Sequence, residues 1–274
     1  MRYCDLFTRS LQKLGRQELT AAVEILMERA FGLSRTQFWI HKDQEITDIR
    51  KLRSFRLAFS RLRNDEPLSY ITGEKEFYSQ PFRVNRRVLI PRPETEILVE
   101  KALTLIARPI SILDIGAGSG NIAITLALNS GSSVWALEKD RSAHAVLKRN
   151  ISRFGLQTRV FPVQADIFPL RPVRFDLIVS NPPYLSTQDW DCLPRMIRNF
   201  EPRVALVAGP VGTEILEAII FRAPSFLHEG GYLLLEIGKG QHRSVHRFLD
   251  KAGFVGIEWI SDYQGIRRVA VARK

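Results

Sequence analysis

The segment Asn181-Pro182-Pro183-Tyr184 combines residue types that can grip a planar group carrying an NH2. The Asn181 amide offers one acceptor and one donor group, the Pro182 carbonyl is a second acceptor, and the Tyr184 ring is a flat apolar wall. A carboxamide or the exocyclic amine of a base fits such a slot. Two successive prolines stiffen the turn, because each fixes φ and lacks a backbone N–H. We predict that these four residues bind such a group.

A glycine-rich loop upstream could hold a second ligand. Residues 112–121 have the pattern of a strand, a loop with the spacing G-x-G-x-G from Gly116 to Gly120, and the start of a helix. Glycines permit a tight turn and let a ligand lie against backbone N–H groups at a helix start. The spacing differs from the dinucleotide fingerprint G-x-G-x-x-G, and no P-loop lysine follows. Nucleoside triphosphates are therefore not expected as ligands.

Two acidic residues lie at the ends of the next two predicted strands. Glu138 is placed to accept hydrogen bonds from the vicinal hydroxyls of a ribose, as a carboxylate at that strand tip usually does. Asp166 could accept from an adenine amino group while Ile167 covers the ring. Ligands of open α/β sheets bind outside the carboxyl ends of the strands. The glycine loop, both carboxylates and Asn181 are therefore predicted to meet at one edge of the sheet.

The elements that must position these residues follow a βα alternation. Seven short apolar runs alternate with helical patterns, which favours a mostly parallel sheet with helices on both faces. The last two runs leave no room for a crossover helix and should form an antiparallel hairpin. The predicted strands are 111–115, 133–138, 159–164, 175–180, 231–237, 254–260 and 267–273, and the predicted helices lie near 119–129, 141–153, 212–223 and 241–252.

The beginning of the chain has a different pattern. Apolar residues recur at helical spacing up to about residue 66. Residues 77–84 then have the pattern of a β-hairpin, with Ser79-Gln80-Pro81 between its strands. We predict three segments: an N-terminal helical domain that recognises the substrate (1–66), a β-hairpin linker (67–93) and a catalytic domain (94–274).

The composition is that of a soluble globular protein, with 45% hydrophobic and 25% charged residues among 274. No apolar run approaches the ~18 residues of a membrane span, and the first residues lack the apolar core of a signal peptide. Cys4 and Cys192 form no metal or redox spacing and no disulfide framework, so we expect a cytoplasmic protein.

The formal net charge of +11 points to an acidic partner, such as a nucleic acid or an RNA-bound protein. The 40 lysines and arginines are nevertheless spread along the chain, so we predict no specific nucleic-acid binding. His242 and His246 lie four residues apart on a predicted helix, but no glutamate adjoins His242 and no third ligand is evident. We therefore predict no metal site.

The chain resembles the class I S-adenosylmethionine-dependent methyltransferases, and within them the HemK/PrmC family of protein glutamine methyltransferases. The resemblance covers nearly all of residues 66–274, whereas the first 65 residues are poorly diagnostic. Gln80 departs from the small or apolar residue expected in the hairpin, and Pro210 replaces a more acidic stretch; neither touches the proposed chemistry. The resemblance is carried by residues 66–77 (EPLSYITGEKEF), 89–96 (LIPRPETE), the glycine loop, the Asn-Pro-Pro-Tyr segment, 201–206 (EPRVAL) and 230–238 (GGYLLLEIG).

The resemblance implies an enzyme of translation termination. It would transfer a methyl group from S-adenosyl-L-methionine to N5 of the glutamine in the Gly-Gly-Gln loop of class I peptide chain release factors, leaving S-adenosyl-L-homocysteine. The fold would be a Rossmann-like class I methyltransferase fold, and we expect a monomer with no membrane association. Asn181 would face both ligands, and Pro182 and Tyr184 would complete the amide slot. These three would be the catalytic residues, and together with Pro183 they would bind the substrate. The remaining cofactor-binding residues would be Gly116, Ala117, Gly118, Ser119, Gly120, Glu138, Asp166 and Ile167.

Two other functions fit parts of the pattern. An adenine-N6 methyltransferase of DNA or RNA could use the same slot, but such enzymes usually need a means of extracting the base from its stack. A non-catalytic, basic ribosome- or RNA-binding protein could retain the fold alone. The intact Asn181 slot argues against the second, because pure binding does not require that geometry.

Overall fold

The chain divides into two units, Met1–Gly73 and Glu74–Lys274. The structure is a computed structural model and describes residues 1–15, 19–170 and 173–274. The first unit is helical, as the sequence predicts. Its helices are α1 (Tyr3–Leu14), α2 (Thr20–Phe31), α3 (Arg35–His41), α4 (Ile49–Arg63) and α5 (Leu68–Thr72).

Local capping and an aromatic core define the first unit. The Asp48 carboxylate accepts hydrogen bonds from the Arg50 and Lys51 N–H groups and so caps the start of α4. The apolar faces of the helices enclose a core in which Phe55 is 1% exposed and stacks on Phe59 at a ring-centroid distance of 5.8 Å. Burial of large aromatic side chains dominates the energetics of such small cores.

The second unit opens with a β-hairpin whose turn differs from the sequence prediction. Strands β1 (Glu74–Phe77) and β2 (Gln80–Arg83) are antiparallel, with Phe77 paired to Gln80. Tyr78 and Ser79 form the two-residue loop with φ of 50° and 57°, so Gln80 and Pro81 belong to the second strand and not to the turn. A loop with two positive φ values matches the twist of a hairpin, and this geometric demand outweighs the turn preference of proline.

A seven-stranded sheet forms the centre of the second unit. Its order is β10-β11-β9-β6-β3-β4-β5. The five strands from β9 to β5 run parallel, and β11 runs antiparallel to both β9 and β10. The predicted terminal hairpin is therefore confirmed. The seven strands of this sheet are β3 (Ser111–Ile115), β4 (Ser133–Leu137), β5 (Val160–Val163), β6 (Phe175–Ser180), β9 (Leu227–Glu236), β10 (Val255–Ser261) and β11 (Arg267–Arg273). Two further strands of the unit, β7 (Leu185–Ser186) and β8 (Val207–Gly209), lie outside it.

Helices cover both faces of this sheet. Successive side chains of a strand point to opposite faces, and in β6 Leu177 packs in one apolar cluster while Ile178 packs in the other. The first cluster includes Leu98 of α6, and the second includes Leu216 of α11. The helices of this unit are α6 (Pro93–Thr104), α7 (Asn121–Ser130), α8 (Arg141–Arg153), α9 (Thr187–Cys192), α10 (Arg195–Phe200), α11 (Glu214–Phe226) and α12 (His242–Lys251).

The register brings the carboxyl ends of four strands to one level. Ile115 at the end of β3 pairs with both Leu137 of β4 and Ser180 of β6, and Leu137 pairs with Val163 of β5. The residues that follow these strands must therefore emerge side by side.

None of the helices in the described ranges is both long and apolar enough to cross a membrane.

A two-stranded sheet after β6, formed by β7 and β8, was not predicted. Each strand is only two or three residues long, too short for an alternation of polar and apolar residues to reveal it. Gly212 packs against its backbone with φ of 89°, and a Cβ there would lie 2.9 Å from both Ser186 N and Tyr184 O. Only glycine fits this approach, because backbone atoms cannot rotate away.

We expect Gly212→Ala to destabilise the protein more than Gly240→Ala. The two glycines have nearly equal φ, 89° and 87°, but a Cβ at Gly240 meets nothing within 4 Å. Gly240→Ala should cost only the left-handed backbone term of about 1–2 kcal/mol, whereas Gly212→Ala should add an overpacking cost of about 1–3 kcal/mol. Urea unfolding midpoints measure the difference, and equal midpoints would contradict the proposed backbone clash.

Candidate functional site

A cavity of about 270 Å³ lies at the carboxyl edge of β3, β4, β5 and β6. Its walls contain eight residues predicted from the sequence, which the aligned strand ends bring together. These are Gly116, Gly118, Glu138, Asp166, Ile167, Asn181, Pro182 and Pro183. Further wall residues, to which the sequence analysis gave no role in binding, include Arg87, Val88, Leu89, Ala143, Val204, Ala205, Val207, Ala208 and Ile215.

The glycine loop presents backbone to this cavity. Gly116 and Gly118 have φ of 73° and 56°; a Cβ at Gly116 would meet nothing within 4 Å, and one at Gly118 would meet only the Gly116 carbonyl oxygen, at 3.9 Å. Gly120 has a different role, because a Cβ there would meet the buried Leu147 at 2.6 Å. Ala117, Ser119 and Gly120 are not among the wall residues of the cavity, and Ala117 and Ser119 are 3% and 1% exposed. The loop therefore offers its first and third residues to a ligand and packs the others beneath.

Asp114 stabilises the loop from below. It is fully buried, and its Oδ2 accepts a hydrogen bond of 3.0 Å from the Ala123 N–H in the first turn of α7. Its Oδ1 has no hydrogen-bond partner among the described residues. Burial raises the pKa of Asp114 to about 7, the Ala123 N–H opposes the rise, and the nearby Glu138 charge adds to it. The sequence analysis assigned no role to Asp114.

Glu138 links the loop to the end of β4. Its Oε2 accepts from the Gly118 N–H at 2.9 Å and its Oε1 from the Asp140 N–H at 2.8 Å. Burial raises the pKa of Glu138, and these N–H bonds partly offset the rise. A carboxylate has about four lone-pair sites, so Glu138 can still accept from two hydroxyl groups.

Asp166 and Ile167, which follow β5, form an unusual turn in the cavity wall. Ile167 has φ of 57°, and the Phe168 N–H donates to the Asp166 carbonyl at 2.6 Å across this one residue. A β-branched residue in the left-handed region is strained, and such strain clusters at binding sites. The Asp166 side chain is 63% exposed and lies 3.2 Å from Lys139 Nζ. This carboxylate can therefore reorient toward a ligand at little cost.

Asn181 is held by a buried hydrogen-bond chain that the sequence analysis missed. Its Nδ2 donates to Thr95 Oγ1 at 2.9 Å, and Thr95 Oγ1 donates to Glu236 Oε2 at 2.6 Å. Thr95 and Glu236 are 1% and 2% exposed. Within the described part of the chain, Asn181 Oδ1 has no hydrogen-bond partner. Both residues lie in motifs that carry the family resemblance, but no local pattern relates either of them to Asn181.

Three long-range contacts fix the turn that follows Asn181. Gln241 Nε2 donates to the carbonyls of Tyr184 at 2.8 Å and Gly212 at 3.0 Å. Gly238 makes room for the Tyr184 ring, because a Cβ there would lie 3.1 Å from Tyr184 Cδ2. Burial raises the pKa of the Tyr184 phenol, so this side chain stays neutral. Tyr184 does not line the cavity itself.

Arg92, to which the sequence analysis assigned no role, forms an ion pair with Glu201. The Glu201 carboxylate is 2% exposed and also accepts from the Ile90 N–H at 3.3 Å. A buried ion pair of this kind depends on both partners, because removing one leaves an uncompensated charge. It joins the segment before α6 to the segment that precedes the Val204 and Ala205 wall of the cavity.

The two histidines of α12 lie elsewhere. His242 and His246 face the Trp259 ring at centroid distances of 6.1 and 6.4 Å, beside a shallow depression that includes none of the strand-end residues. Among the residues that the structure describes, no cluster of three or more histidine, cysteine or acidic side chains could hold a metal ion.

Comparisons with known proteins agree with this geometry. Residues 93–203 match the methyltransferase small domain, and residues 5–73 match the PrmC N-terminal domain. The release factor glutamine methyltransferase of Geobacter sulfurreducens is 37% identical over 265 residues, which is 96% of this chain and 92% of that protein.

Solved structures show the same fold at low identity. A methyltransferase from Pyrococcus furiosus has a TM-score of 0.56 at 18% identity, covering 78% of this chain and 96% of its own. A T. thermophilus 16S rRNA methyltransferase in complex with AdoMet and guanosine has a TM-score of 0.54 at 18% identity, covering 73% of this chain and 49% of its own. These likenesses show the class I methyltransferase fold.

We expect the difference in stability between wild type and Asp114→Asn to depend on pH, because Asp114 is buried. Because its pKa is near 7 when folded and 3.8 as its ordinary value, the unfolded chain ionises first as the pH rises. Wild type should lose stability relative to Asp114→Asn between about pH 4 and 7, at up to about 1.4 kcal/mol per pH unit. Above that window the difference should be constant. Thermal unfolding at several pH values tests this, and a difference that does not vary with pH would contradict it.

Proposed function

The chain belongs to the release factor glutamine methyltransferase family, and we propose that it methylates N5 of the glutamine in the Gly-Gly-Gln loop of class I peptide chain release factors. The methyl donor would be S-adenosyl-L-methionine. The observation that carries the proposal is the position of Asn181, whose amide shares one cavity with the glycine loop and Glu138. A slot for a carboxamide thus adjoins a site for a nucleoside.

The residues present fit the cofactor. Gly116 and Gly118 leave open the space that a Cβ would occupy, so a ligand can lie against the loop backbone. Glu138 has lone pairs left for the two ribose hydroxyls. Asp166 and Ile167 are proposed to hold the adenine. Ala117, Ser119 and Gly120 are proposed to support the loop, since their side is packed against the core.

Asn181 and Pro182 are proposed to hold the glutamine amide. The Asn181 Oδ1 and the Pro182 carbonyl can each accept one amide N–H, and neither accepts a hydrogen bond from the described residues. The Tyr184 ring is proposed to close the inner side of the slot, with its backbone held by Gln241. A rigid slot of this kind orients the nitrogen lone pair, and good orientation can be worth about 7–11 kcal/mol.

The methyl transfer depends on positioning and electrostatic stabilisation, and it does not require a strong base. An amide nitrogen is a weak nucleophile, because its lone pair is delocalised into the carbonyl. When bound, the sulfonium of the cofactor supplies an activated methyl group. The two oxygen acceptors stabilise the positive charge that develops on nitrogen during attack. The proton can leave afterwards, when the methylated nitrogen has become acidic.

The adenine-N6 alternative is not favoured. Its support was the chemical similarity between an adenine amine and a carboxamide, and the structures of RNA-acting enzymes share only the fold with this chain. The relative at 37% identity, whose name specifies release factor glutamine, covers nearly the whole chain. We accordingly propose release factors as partners, a monomeric state and a cytoplasmic location.

The function is tested with a release factor. Purified chain, S-adenosyl-L-methionine and a class I release factor should yield a mass increase of one methyl group on the peptide that contains Gly-Gly-Gln. We expect Asn181→Ala to abolish this turnover while cofactor affinity stays within a few-fold, because Asn181 Oδ1 acts on the amide. Methylation of a DNA or RNA substrate in its place would overturn the assignment. Full activity of Asn181→Ala would show that the slot is misassigned.

Glu138→Ala should weaken cofactor binding. Each charge-assisted hydrogen bond to a ribose hydroxyl is worth about 1.5–3 kcal/mol, so we expect at least a ~10-fold rise in Kd. Glu138→Gln serves as the matched control, since it keeps one oxygen acceptor for the Gly118 N–H and should lose less. Isothermal titration calorimetry measures both. Unchanged affinity in Glu138→Ala would remove this residue from the ribose role.

A further inference from the structure

We propose that Thr95 and Glu236 are positioning residues that set the polarity of the Asn181 amide, so that its oxygen and not its NH2 group faces the reacting amide. The inference rests on the proposed function, in which Asn181 must act as an acceptor. It concerns two residues that do not line the cavity.

The three side chains form a chain with one direction. Glu236 lies at the end of β9, Thr95 in the first turn of α6 and Asn181 directly after β6. The Thr95 hydroxyl is 2.6 Å from Glu236 Oε2 and 2.9 Å from Asn181 Nδ2. Thr95 and Glu236 are nearly inaccessible to solvent. Water therefore cannot easily replace a member of this chain.

Proton counting fixes the direction. An ionised carboxylate can only accept, so the single Thr95 proton goes to Glu236. The hydroxyl oxygen is then left with lone pairs alone and can only accept from Asn181. The amide must turn its NH2 toward Thr95, because a flipped amide would place Oδ1 against an oxygen with no proton to share. Asn181 Oδ1 is thus directed away from Thr95, as the proposed acceptor role requires.

Protonation of Glu236 would remove this constraint. A carboxylic acid can donate to Thr95 Oγ1, whose own proton is then free for Asn181 Oδ1. The amide could flip and present NH2 to the substrate amide, donor against donor. The acceptor-only state of Glu236 is therefore the one that supports catalysis.

The surroundings of Glu236 place its protonation in an accessible pH range. Burial raises the pKa of Glu236 to about 7, the Thr95 hydroxyl opposes the rise, and the Glu94 charge adds to it. Arg268 and Arg92 oppose it, and the neutral Tyr184 phenol is a further neighbour. We call the hydrogen-bonded chain Asn181–Thr95–Glu236 the relay. The turnover number should fall as the pH drops through this value, since protonated Glu236 no longer fixes which groups of the relay donate and which accept.

The test compares Thr95→Val with Thr95→Ser. Valine keeps the shape of threonine but has no hydroxyl, whereas serine keeps the hydroxyl. We expect kcat for the release factor to fall about 10- to 100-fold in Thr95→Val, with the Kd of the cofactor unchanged, and to be restored in Thr95→Ser. A merely structural role would lower thermal stability in both variants without this separation. Equal kcat in the two variants would overturn the proposal.

Glu236→Gln supplies the second variant. Its NH2 group can donate to Thr95, which mimics the protonated acid at every pH. We expect low kcat and loss of the acidic limb that wild type shows near pH 7. An unchanged pH profile in this variant would overturn the role of Glu236.

One readout does not depend on methylation. The Asn181 side-chain NH2 resonances, assigned by their loss in Asn181→Asp, report the Thr95 hydrogen bond by NMR. They should shift in Thr95→Val and Glu236→Gln and stay near their wild-type positions in Thr95→Ser. Should wild type fail to methylate release factors, the proposed function would fall while this pattern would still support the relay; the absence of the pattern would reject the relay alone.

Discussion

The hydrogen bond between Asn181 Nδ2 and Thr95 Oγ1 is the interaction on which the candidate site depends. It joins the end of β6 to α6 across 86 residues of sequence, and the Thr95 hydroxyl continues it to Glu236 across 141 residues. A polar group in a core is costly unless every partner is satisfied. These two hydrogen bonds therefore tie α6 and the ends of β6 and β9 into one arrangement. They leave Asn181 Oδ1 available to accept a hydrogen bond from another molecule.

The rigidity of the Asn-Pro-Pro-Tyr turn has two sources. Prolines restrict φ locally, but the position of the turn in space comes from contacts distant in sequence. Gln241 donates a hydrogen bond to the Tyr184 carbonyl, and Gly212 has no Cβ that would collide with the backbone of Tyr184 and Ser186. The Arg92–Glu201 ion pair braces the segment that leads to the cavity wall. Preorganisation of this kind is what a reaction limited by orientation requires.

The side of the cavity that is proposed to hold the cofactor shows how a parallel sheet brings residues together. The register aligns the ends of β3, β4, β5 and β6, so the residues that follow share one edge. Asp114 and Glu138 are both buried enough to have raised pKa values, and Ile167 has a strained backbone. The protein tolerates these unfavourable features at the cavity and directly beneath it, which is the pattern expected of a functional site.

Local patterns in the amino-acid sequence were sufficient to predict the order of the strands along the chain, the glycine loop and the identity of the strand-end residues. These features repeat locally, with a period of two in strands and 3.6 in helices, so neighbouring residues suffice to reveal them. The hairpin turn was predicted at Ser79-Gln80-Pro81 but lies at Tyr78 and Ser79. The two positive φ values there leave no strong residue signature. The strands β7 and β8 were too short to show any period.

The partners of the Asn181 side chain became evident only in the folded protein. Thr95 follows two residues whose types already suit a helix start, and Glu236 ends an apolar strand. Neither sequence position therefore indicates that its side chain has a hydrogen-bond partner elsewhere in the chain. Their pairing depends on how α6 packs against the sheet and on which residue of β9 stands beside the end of β6. Long-range hydrogen bonds follow from packing and register, and those are properties of the folded chain and not of any local stretch.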